Sequence, residues 1–379
     1  MNSRIYLDAN ASTFIDPRVL QVIIRQLQEE EGNPSSIHAH GRQSRKKLEE
    51  SRSTIARFLK AKPNEIIFTS GGTEGAYLLL HGLMKRFANG HLITSNLEHP
   101  CVYDTAKNFE NSGYQATYLS AGLHGAVHPD AVKNALRPDT RLITLMAVNN
   151  ETGVKTDIEA IAEIALKAGV PFIVDGVALL GKEHFQIPQG VSAMFFSGHK
   201  INGPKGIGFY FCRQGLKLLP LYSGGNQEFH KRAGTENLPG IAALAEAVHI
   251  LEQEQSQIAD QLRKKRDRLE KTLSDQLGGI TVNGEGPRVV NTANLSFEGV
   301  DGESLLLNLD LEGISASHGS ACSSGALEPS RVILNMGIPL KQARSAIRFS
   351  VGRNTTQEEI TRAIEIIKKI VTRLRGHQH

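Results

Sequence analysis

The feature that most constrains the fold of this chain is a regular alternation of short apolar runs with segments of helical periodicity, from Gln21 to about Ile250. Apolar runs bounded by turn residues lie at residues 65–69, 91–94, 142–148 and 171–174. Between the last two of these runs, residues 158–168 carry apolar side chains at helical spacing. Strands that alternate with helices in this way predict a mostly parallel sheet covered by helices on both faces.

The order of elements changes after a long helical pattern at about residues 241–273. Beyond it come two strand-like runs and two helical segments, at residues 289–297, 346–351, near 305 and from 356 onward. Such an order is typical of a smaller α+β domain. We therefore predict an α/β enzyme with two domains. Residues 16–252 form the large domain, and residues 1–15 together with 253–379 form the small one.

Composition and charge exclude several classes of protein. Hydrophobic residues make up 40% of the 379 residues and charged residues 22%, as in ordinary globular proteins. The net charge is only +4, Trp is absent, and no basic run is interleaved with aromatic residues, so we expect no nucleic-acid partner. No stretch approaches the roughly 18 unbroken apolar residues of a membrane helix, so we expect no membrane attachment.

The N-terminus and the cysteines indicate the compartment. Residues 1–8 lack a basic region followed by an apolar stretch, so we expect no secretory signal. Three cysteines, an odd number in a long chain, do not make a disulfide framework. We therefore expect a reduced protein of the cytoplasm.

The strongest local signal for chemistry is Ser197-Gly198-His199-Lys200, which follows the apolar stretch 193–196 and precedes a glycine-rich turn. A lysine is usually a solvated surface charge. A lysine at the end of a buried strand, however, can lose solvation, which lowers its pKa and makes the amine nucleophilic. Enzymes that use pyridoxal phosphate (PLP) need such an amine to hold the cofactor as a Schiff base.

Asp175 ends the apolar run 171–174. A carboxylate there is either a helix N-cap or a functional group, because ligands of open α/β sheets gather outside the carboxyl ends of the strands. About two dozen residues before Lys200, it could pair with the pyridinium nitrogen of PLP and keep the ring an electron sink.

Two further features are ambiguous when taken alone. Gly71-Gly72-Thr73 opens a helix after a strand, where backbone amides can bind an anion, although the turn could simply be a tight connection. His99 precedes Pro100 at the start of another helix. A lone histidine is more often structural, but its ring could stack on a cofactor and move protons.

Taken together, a series of motifs in sequence order resembles that of the cysteine desulfurases, within the class V aminotransferase family of fold-type-I PLP enzymes. The motifs cover nearly the whole chain and lie at residues 6–13, 32–38, 69–74, 98–100, 149–153, 197–206, 234–237, 319–325, 328–330 and 348–350. The group indicated is the NifS- and IscS-type, which has a long cysteine loop. The resemblance implies a large domain with a mostly parallel, seven-stranded type of sheet and a smaller α+β domain.

The resemblance also implies roles for the residues around the cofactor. Lys200 is the Schiff-base lysine, Asp175 meets the pyridinium nitrogen, and His99 stacks on the ring and takes part in catalysis. Asn150 lies near the phenolic oxygen of PLP and near the substrate. Arg348 holds the substrate carboxylate, a bidentate task that suits a guanidinium.

The phosphate of the cofactor has its own predicted set of residues. Thr73, Ser197 and His199 bind it, helped by the backbone around Gly72. Thr235 reaches the phosphate of the neighbouring subunit, so the resemblance implies a homodimer whose two chains share each site.

Cys322 decides the predicted reaction. A free cysteine is most often a small buried hydrophobe, but Cys322 lies in a run of small polar residues that cannot bury it. The resemblance implies that Cys322 takes the sulfur of L-cysteine as a persulfide and that alanine leaves. The sulfur then passes to an acceptor protein for iron–sulfur cluster assembly or other sulfur transfer. Cys101 and Cys212 lack this setting. Cys101 follows His99-Pro100 and could lie near the pocket, but we expect both cysteines to be structural.

The chain departs from the family pattern at three places. Ala178 replaces a glutamine that usually hydrogen-bonds the phenolic oxygen of PLP, a bond to a charged group worth about 1.5–3 kcal/mol. Phe229-His230 replaces Arg-Gly, and residues 75–77 replace common polar residues. None of these changes removes Lys200 or Cys322, so PLP chemistry is still expected.

Two other functions fit part of this pattern. A different class V enzyme, such as a lyase or an aminotransferase, would need Lys200, Asp175 and His99 equally, but Cys322 and Arg348 favour desulfuration. A scaffold protein without catalytic activity would not need Lys200, Asp175, His99 and Cys322 together.

Overall fold

The computed structural model describes residues 4–29, 32–319 and 329–376. The strands are β1 (Ile5–Tyr6), β2 (Ile66–Thr69), β3 (His91–Ser95), β4 (Gln115–Leu119), β5 (Thr140–Met146), β6 (Phe172–Asp175), β7 (Val191–Ser197), β8 (Gly208–Cys212), β9 (Ile280–Val282), β10 (Thr292–Phe297), β11 (Ile314–Ser315) and β12 (Ala346–Ser350). The α-helices are α1 (Pro17–Glu29), α2 (Ala39–Phe58), α3 (Gly72–Met84), α4 (Pro100–Asn111), α5 (Pro129–Ala135), α6 (Ile158–Ala168), α7 (Leu238–Leu277), α8 (Gly302–Leu311), α9 (Arg331–Asn335), α10 (Leu340–Arg344) and α11 (Gln357–Gly376).

Seven of the strands in the described ranges form one sheet, in the order β2-β8-β7-β6-β5-β3-β4. The pairs β7–β6, β6–β5, β5–β3 and β3–β4 are parallel, whereas β8 is antiparallel to both of its neighbours. Two antiparallel steps restore the direction, so β2 runs the same way as β7. The carboxyl ends of β2, β3, β5, β6 and β7 therefore lie at one edge. The predicted mostly parallel α/β sheet is confirmed.

The central strands of the large sheet bury both of their faces, because consecutive side chains point to opposite sides of a sheet, whereas the edge strand β4 is only partly buried. Ile173 packs with α3 and α4 in one apolar cluster, while the next residue, Val174, belongs to the cluster on the other face with α6 and α7. Likewise, Phe195 belongs to the cluster with α3 and α4, and Phe196 belongs to the cluster with α6 and α7. The sheet is thus covered on both faces, as the unbroken apolar runs predict.

The remaining strands of the described ranges form two small sheets. One is the antiparallel sheet β12-β10-β9, and the other is the parallel pair of β1 with β11. Helix α7 has 40 residues, or about 60 Å at 1.5 Å per residue, and contacts both α2 and α11. The predicted domain boundary at residue 252 falls inside this helix, which runs through it without a break. The division into 16–252 and the rest stays a prediction.

The turn at residues 228–230 explains one departure from the family pattern. Glu228, Phe229 and His230 all have positive φ, of 48°, 57° and 63°, and a left-handed conformation costs a non-glycine residue about 1–2 kcal/mol. The buried Arg52 holds the turn, because its guanidinium pairs with the Glu228 carboxylate at 2.7 Å and lies 5.0 Å from the centre of the Phe229 ring. The Phe229 ring therefore contacts the same guanidinium that pairs with Glu228.

None of the helices within the described ranges has both the length and the apolarity required to span a bilayer.

Candidate active site

A cavity of about 190 Å³ opens at the edge of the large sheet where the parallel strands end. It gathers residues from α3, α4, β5, β6, β7, the turn after β7, and β12, several of which are far apart in the chain. The predicted site residues that line it are Gly72, Thr73, His99, Asn150, Asp175, Ser197, His199, Lys200 and Arg348. Ala178 also lines it, so the departure from the family pattern falls on the cavity wall. Cys322 lies outside the described residues.

Lys200 ends the single 3₁₀ turn Gly198–Lys200 that follows β7 directly. Its Nζ donates hydrogen bonds to the backbone carbonyls of Asn10 and Ala11, the second at 2.9 Å. The amine is therefore half-buried and held by the segment after β1, almost 190 residues away in sequence. The amine of Lys200 is therefore less solvated than the amine of a lysine on the protein surface.

Asp175 is the last residue of β6 and is only 6% exposed. One carboxylate oxygen, Oδ1, accepts the backbone N–H of Val177 at 2.9 Å. Burial raises the pKa of Asp175 to about 6, although the bond from Val177 and the charge of Lys200 oppose this shift. A buried carboxylate of this kind is stabilised by a positively charged or N–H group in the cavity.

His99 is the N-cap of α4, and its ring contacts a residue two positions later. Nδ1 accepts the backbone N–H of Cys101 at 3.2 Å and lies 3.1 Å from Cys101 Sγ. This arrangement assigns the proton of the neutral ring to Nε2. Burial, assisted by the charges of Lys200 and Arg331, lowers the pKa of His99 to about 4, so the ring is neutral near pH 7.

The two cysteines within the described ranges have different surroundings. Cys101 lines the cavity beside His99, as its place after His99-Pro100 allowed. Its structural role stays a prediction. Cys212 is fully buried in β8, where desolvation raises the pKa of its thiol. Its expected structural role agrees with that burial.

The start of α3 provides a cradle for an anion. Among the described residues, no side chain caps the first turn of this helix, so its amides are available to a ligand. A Cβ atom on Gly72 would come 2.9 Å from Val177 Cγ2, so glycine makes room for that side chain on the cavity wall. A second, more open cavity of about 430 Å³ adjoins this turn, and it is lined in part by Thr73, Ser197, His199 and Lys205.

His199 contributes hydrogen bonding rather than charge to this cradle. Its Nδ1 lies 3.4 Å from Ser12 Oγ, at the distance limit of a hydrogen bond. Burial lowers the pKa of His199 to about 4, with contributions from Lys200 and Lys205. The positive charge near the start of α3 therefore comes from lysine and from the helix amides.

Arg348 lies on β12 and is 1% exposed. One terminal nitrogen donates to the backbone carbonyl of Asn150 at 3.0 Å, and the other pairs with Asp8 at 2.8 Å. Its buried Nε has no hydrogen-bond partner within the described ranges. An arginine with donor capacity at the cavity wall suits an anionic group such as a carboxylate. Asn150 itself lines the same wall.

Thr235 does not line the cavity of its own chain. It is exposed, and it follows the turn at residues 228–230 and precedes α7. Its predicted role concerns a neighbouring subunit and therefore stays a prediction.

Lys182 is a site residue that the sequence analysis missed. It is 7% exposed, lines the cavity, and donates from Nζ to the backbone carbonyl of Lys200 at 3.2 Å. Burial, together with the charges of Arg353 and Lys200, lowers the pKa of Lys182 to about 7. Its position in Gly181-Lys182, seven residues after Asp175, carries no sequence signal that distinguishes it from a surface lysine.

Glu98 is a second missed residue, buried below the cavity next to His99. One carboxyl oxygen accepts the hydroxyl of Ser95 at 2.5 Å, and the other has no partner among the residues described. Burial raises the pKa of Glu98 to about 8, and the charge of Asp175 adds to the shift. Glu98 is therefore mostly protonated near pH 7, which leaves Asp175 as the charged carboxylate of the site.

The fold and the site together define a class of protein. The chain belongs to the aminotransferase class-V family, whose model matches residues 5–363.

Three individual proteins are similar to this chain over more than nine-tenths of its length. A cysteine desulfurase of Nostoc sp. is 42% identical over 380 aligned residues, which cover 99% of this chain and 94% of that protein. A solved structure described as a NifS-like protein superposes with a TM-score of 0.90 at 32% identity, covering 97% of this chain and 99% of the other. A third protein, solved as SspA in complex with cysteine, gives a TM-score of 0.81 at 31% identity, with 93% and 100% coverage.

The pKa of Glu98 leads to a prediction about stability. Its folded-state pKa of about 8 lies above the ordinary 4.5, so its contribution is fully present below pH 4.5 and is lost as pH rises towards 8. Glu98→Gln should remove this dependence. Because one pKa unit is worth about 1.4 kcal/mol, we expect the wild type to lose roughly 1–3 kcal/mol more than the variant between about pH 5.5 and 8. Urea unfolding at both pH values measures the difference.

The matched control for this experiment is Glu163→Gln, which neutralises an exposed carboxylate on α6. This variant should retain the pH dependence of the wild type. Equal pH dependence in the wild type and Glu98→Gln would contradict the assignment of Glu98 as a buried, protonated acid.

Proposed function

We propose that this chain is a cysteine desulfurase that transfers the sulfur of L-cysteine to Cys322 and releases L-alanine. The observation that carries this proposal is the convergence of Lys200, Asp175, His99 and Arg348 on one cavity at the carboxyl edge of the sheet. The cysteine desulfurase of Nostoc sp., at 42% identity over 99% of this chain, supports the reaction. The similarity to a protein solved with cysteine supports the substrate.

The residues of the cavity fit pyridoxal phosphate as the cofactor. Asp175 offers a buried carboxylate to a ring N–H, and the uncapped start of α3 offers amides to a phosphate. Thr73, Ser197 and His199 would complete the phosphate site, and Lys200 would bind the aldehyde carbon. When bound, this cofactor withdraws electrons from the α-carbon of an amino acid, which the protein alone cannot do.

The side chains of the cavity would then position the substrate and move its protons. Arg348 would bind the carboxylate, since its guanidinium is fixed by Asn150 and Asp8 at the cavity wall. His99 would lie flat against the ring as a neutral imidazole with a proton on Nε2. The Lys200 amine would carry protons to and from the substrate carbon atoms.

The sulfur transfer balances without an outside oxidant. The thiolate of Cys322 would attack the sulfur of the substrate, so that an S–S bond forms on Cys322 and the Cβ–S bond breaks. A proton takes the place of sulfur on the carbon, and L-alanine results. Release of the sulfur as free sulfide would require a thiol reductant. Without one, an acceptor protein would take the sulfur from Cys322. The transfer needs Cys322 as a free thiol, and thiols stay reduced in the cytoplasm, which agrees with a cytoplasmic location.

A homodimer is part of the same proposal. Thr235 is exposed and does not line the cavity of its own chain, so it is free to approach the site of a neighbouring copy. The adjoining cavity at the start of α3 is open and would receive such a residue.

The first prediction from this proposed function concerns the residue to which the cofactor is attached. Purified protein should absorb visible light, and borohydride treatment followed by peptide mapping should place the cofactor on Lys200. Lys182→Ala is the matched control, because it removes the second buried amine of the same cavity. This variant should still be labelled at Lys200, whereas Lys200→Ala should lose the covalent label. A label on Lys182 or Lys205 would show that the attachment site is wrong.

A second prediction tests the reaction itself. Cys322→Ala should retain its visible absorbance and still change colour with L-cysteine, because Lys200 and Arg348 are untouched. It should lose persulfide formation, and sulfide release should fall at least about 100-fold, which corresponds to about 2.7 kcal/mol. Cys101→Ala is the control, since it keeps the backbone amide that bonds His99, and it should retain most activity. Desulfuration by Cys322→Ala at nearly the wild-type rate would refute the proposed reaction.

A third prediction tests the shared site. In a mixture of Lys200→Ala chains with Thr235→Ala chains, each mixed dimer should contain one site with both native residues. Random mixing of a symmetric dimer then gives about a quarter of the wild-type activity, above that of either variant alone. Activity measured against the mixing ratio, with sizing of the wild type, checks this result. A fully active monomer would contradict it.

A further inference from the structure

The segment that joins β3 to α4 carries His99 to the cavity wall without forming a strand or a helix. It consists of residues 96–99, of which Leu97 and Glu98 are buried and Asn96 and His99 are half-buried. Such a segment has no regular ladder of hydrogen bonds to satisfy its carbonyls, so other groups must do so. The partners of the carbonyls before His99 therefore show what holds this residue in place.

Two of these carbonyls accept hydrogen bonds from a single side chain. Arg331, the first residue of α9, donates from one terminal nitrogen to the carbonyl of Asn96 and from the other to that of Glu98, the second at 2.5 Å. The carbonyl of Glu98 belongs to the peptide that joins Glu98 to His99. A planar guanidinium presents its donors in a fixed fork, so it restricts the orientation of that peptide and of the backbone at His99.

Other contacts hold the guanidinium and the segment together. The central carbon of the Arg331 guanidinium lies 4.0 Å from the centre of the Tyr103 ring, in the first turn of α4, and a cation over an aromatic ring is stabilised by it. Asn335, the last residue of α9, donates to the carbonyl of Asn96 at 2.8 Å. Leu97 packs in one apolar cluster with residues of α9. Helix α9 is therefore docked on the segment that carries His99.

The charge of Arg331 also acts on His99. The pKa of His99 is lowered to about 4 by burial and by the charges of Lys200 and Arg331, against an opposing effect of Asp104. Lysine in place of arginine would keep this charge but not the fork of two donors. A lysine variant can therefore separate the effect of the charge from that of the two hydrogen bonds.

We propose that Arg331 is a positioning residue that fixes the His99 ring at the cavity wall by holding the peptide that precedes it. Arg331 lies in the predicted small domain and does not line the cavity, whereas His99 lies in the predicted large domain. The position of α9 would thus be transmitted to a ring that is proposed to contact the cofactor. A displacement of about 1 Å can change a rate about 100-fold. This inference rests on the proposed desulfurase function.

Two variants of Arg331 test this role. Arg331→Ala removes the guanidinium, and Arg331→Lys keeps the charge without the fork. Neither substitution touches Lys200, Asp175 or Arg348. Thermal unfolding of each holoenzyme establishes that the variants are folded.

The matched control is Arg213→Ala. Arg213 also donates to two backbone carbonyls, those of Pro188 and Val191, at 3.0 and 2.9 Å. Its guanidinium also lies beside an aromatic ring, 5.2 Å from the centre of Phe211. Arg213 lies at the opposite edge of the large sheet, since it follows β8 and bonds to the start of β7. The control therefore removes the same kind of contact far from the cavity.

Three quantities are measured on each holoenzyme. They are the visible circular dichroism of the bound cofactor, the NMR signal of the His99 ring, which is assigned by its absence in His99→Gln, and kcat and KM for L-cysteine. In Arg331→Ala the dichroism and the NMR signal should change, and kcat should fall roughly 10- to 100-fold. KM should stay within about twofold, because Arg348 is untouched.

The other two variants should differ from Arg331→Ala in opposite ways. Arg331→Lys should show the same changes to a smaller extent, because one amine cannot hold both carbonyls in a fork. Arg213→Ala should lower the midpoint of thermal unfolding but leave the dichroism, the His99 signal and kcat as in the wild type.

Different results would overturn different claims. The role of Arg331 is refuted if Arg331→Ala has the dichroism and the His99 signal of the wild type. It is also refuted if Arg331→Lys equals the wild type in all three quantities, since charge alone would then suffice, or if Arg213→Ala shows the same changes. A wild type that does not desulfurate L-cysteine would contradict the proposed function, while the His99 signal of the variants would still decide the role of Arg331.

Discussion

The parallel pairing of β6 with β7 is the constraint on which the rest of the site depends. In this register Asp175 lies beside Phe195, so Asp175 and Ser197 end their strands at one edge of the sheet. Lys200 follows three residues later in a short 3₁₀ turn. A buried carboxylate and a half-buried amine are thereby brought to the wall of one cavity. A ligand bound there would meet both charges.

The second constraint comes from the N-terminal segment, which joins the small sheets to the large one. The carbonyls of Asn10 and Ala11 accept the amine of Lys200, while Asp8 pairs with Arg348 on β12. A few residues after β1 therefore hold both the proposed cofactor lysine and the proposed substrate arginine. A shift of this segment would displace both Lys200 and Arg348, because the segment contacts these residues across 190 and 340 positions of the sequence.

Burial also divides the titratable groups of the site into charged and neutral sets. His99 and His199 have pKa values lowered to about 4, so both rings are neutral near pH 7. Glu98 has a pKa raised to about 8 and keeps its proton. The remaining charges belong mainly to Lys200, Asp175 and Arg348, which are the groups that the proposed cofactor and substrate would meet. Desolvation of the surrounding groups therefore leaves charges of both signs at the cavity, which would suit a zwitterionic ligand.

The sequence by itself determined the succession of elements and most of the residues at the cavity. Helical spacing predicted residues 158–168, which are the bounds of α6, and the apolar runs predicted β2, β3 and β6 to within a residue or two. These features are local, so a pattern of side chains is enough to specify them. The motif series likewise named eight residues that the fold brings to one cavity, and Asp175 at a strand end is the ninth.

Only the tertiary structure decided which residues from distant segments meet. No local signature marks the contact of Lys182 with the carbonyl of Lys200, or that of the Ser330 hydroxyl with Glu151. Each of these contacts depends on how separate elements pack. Periodicity describes the face of an element that is buried, but it does not specify the partner that covers it.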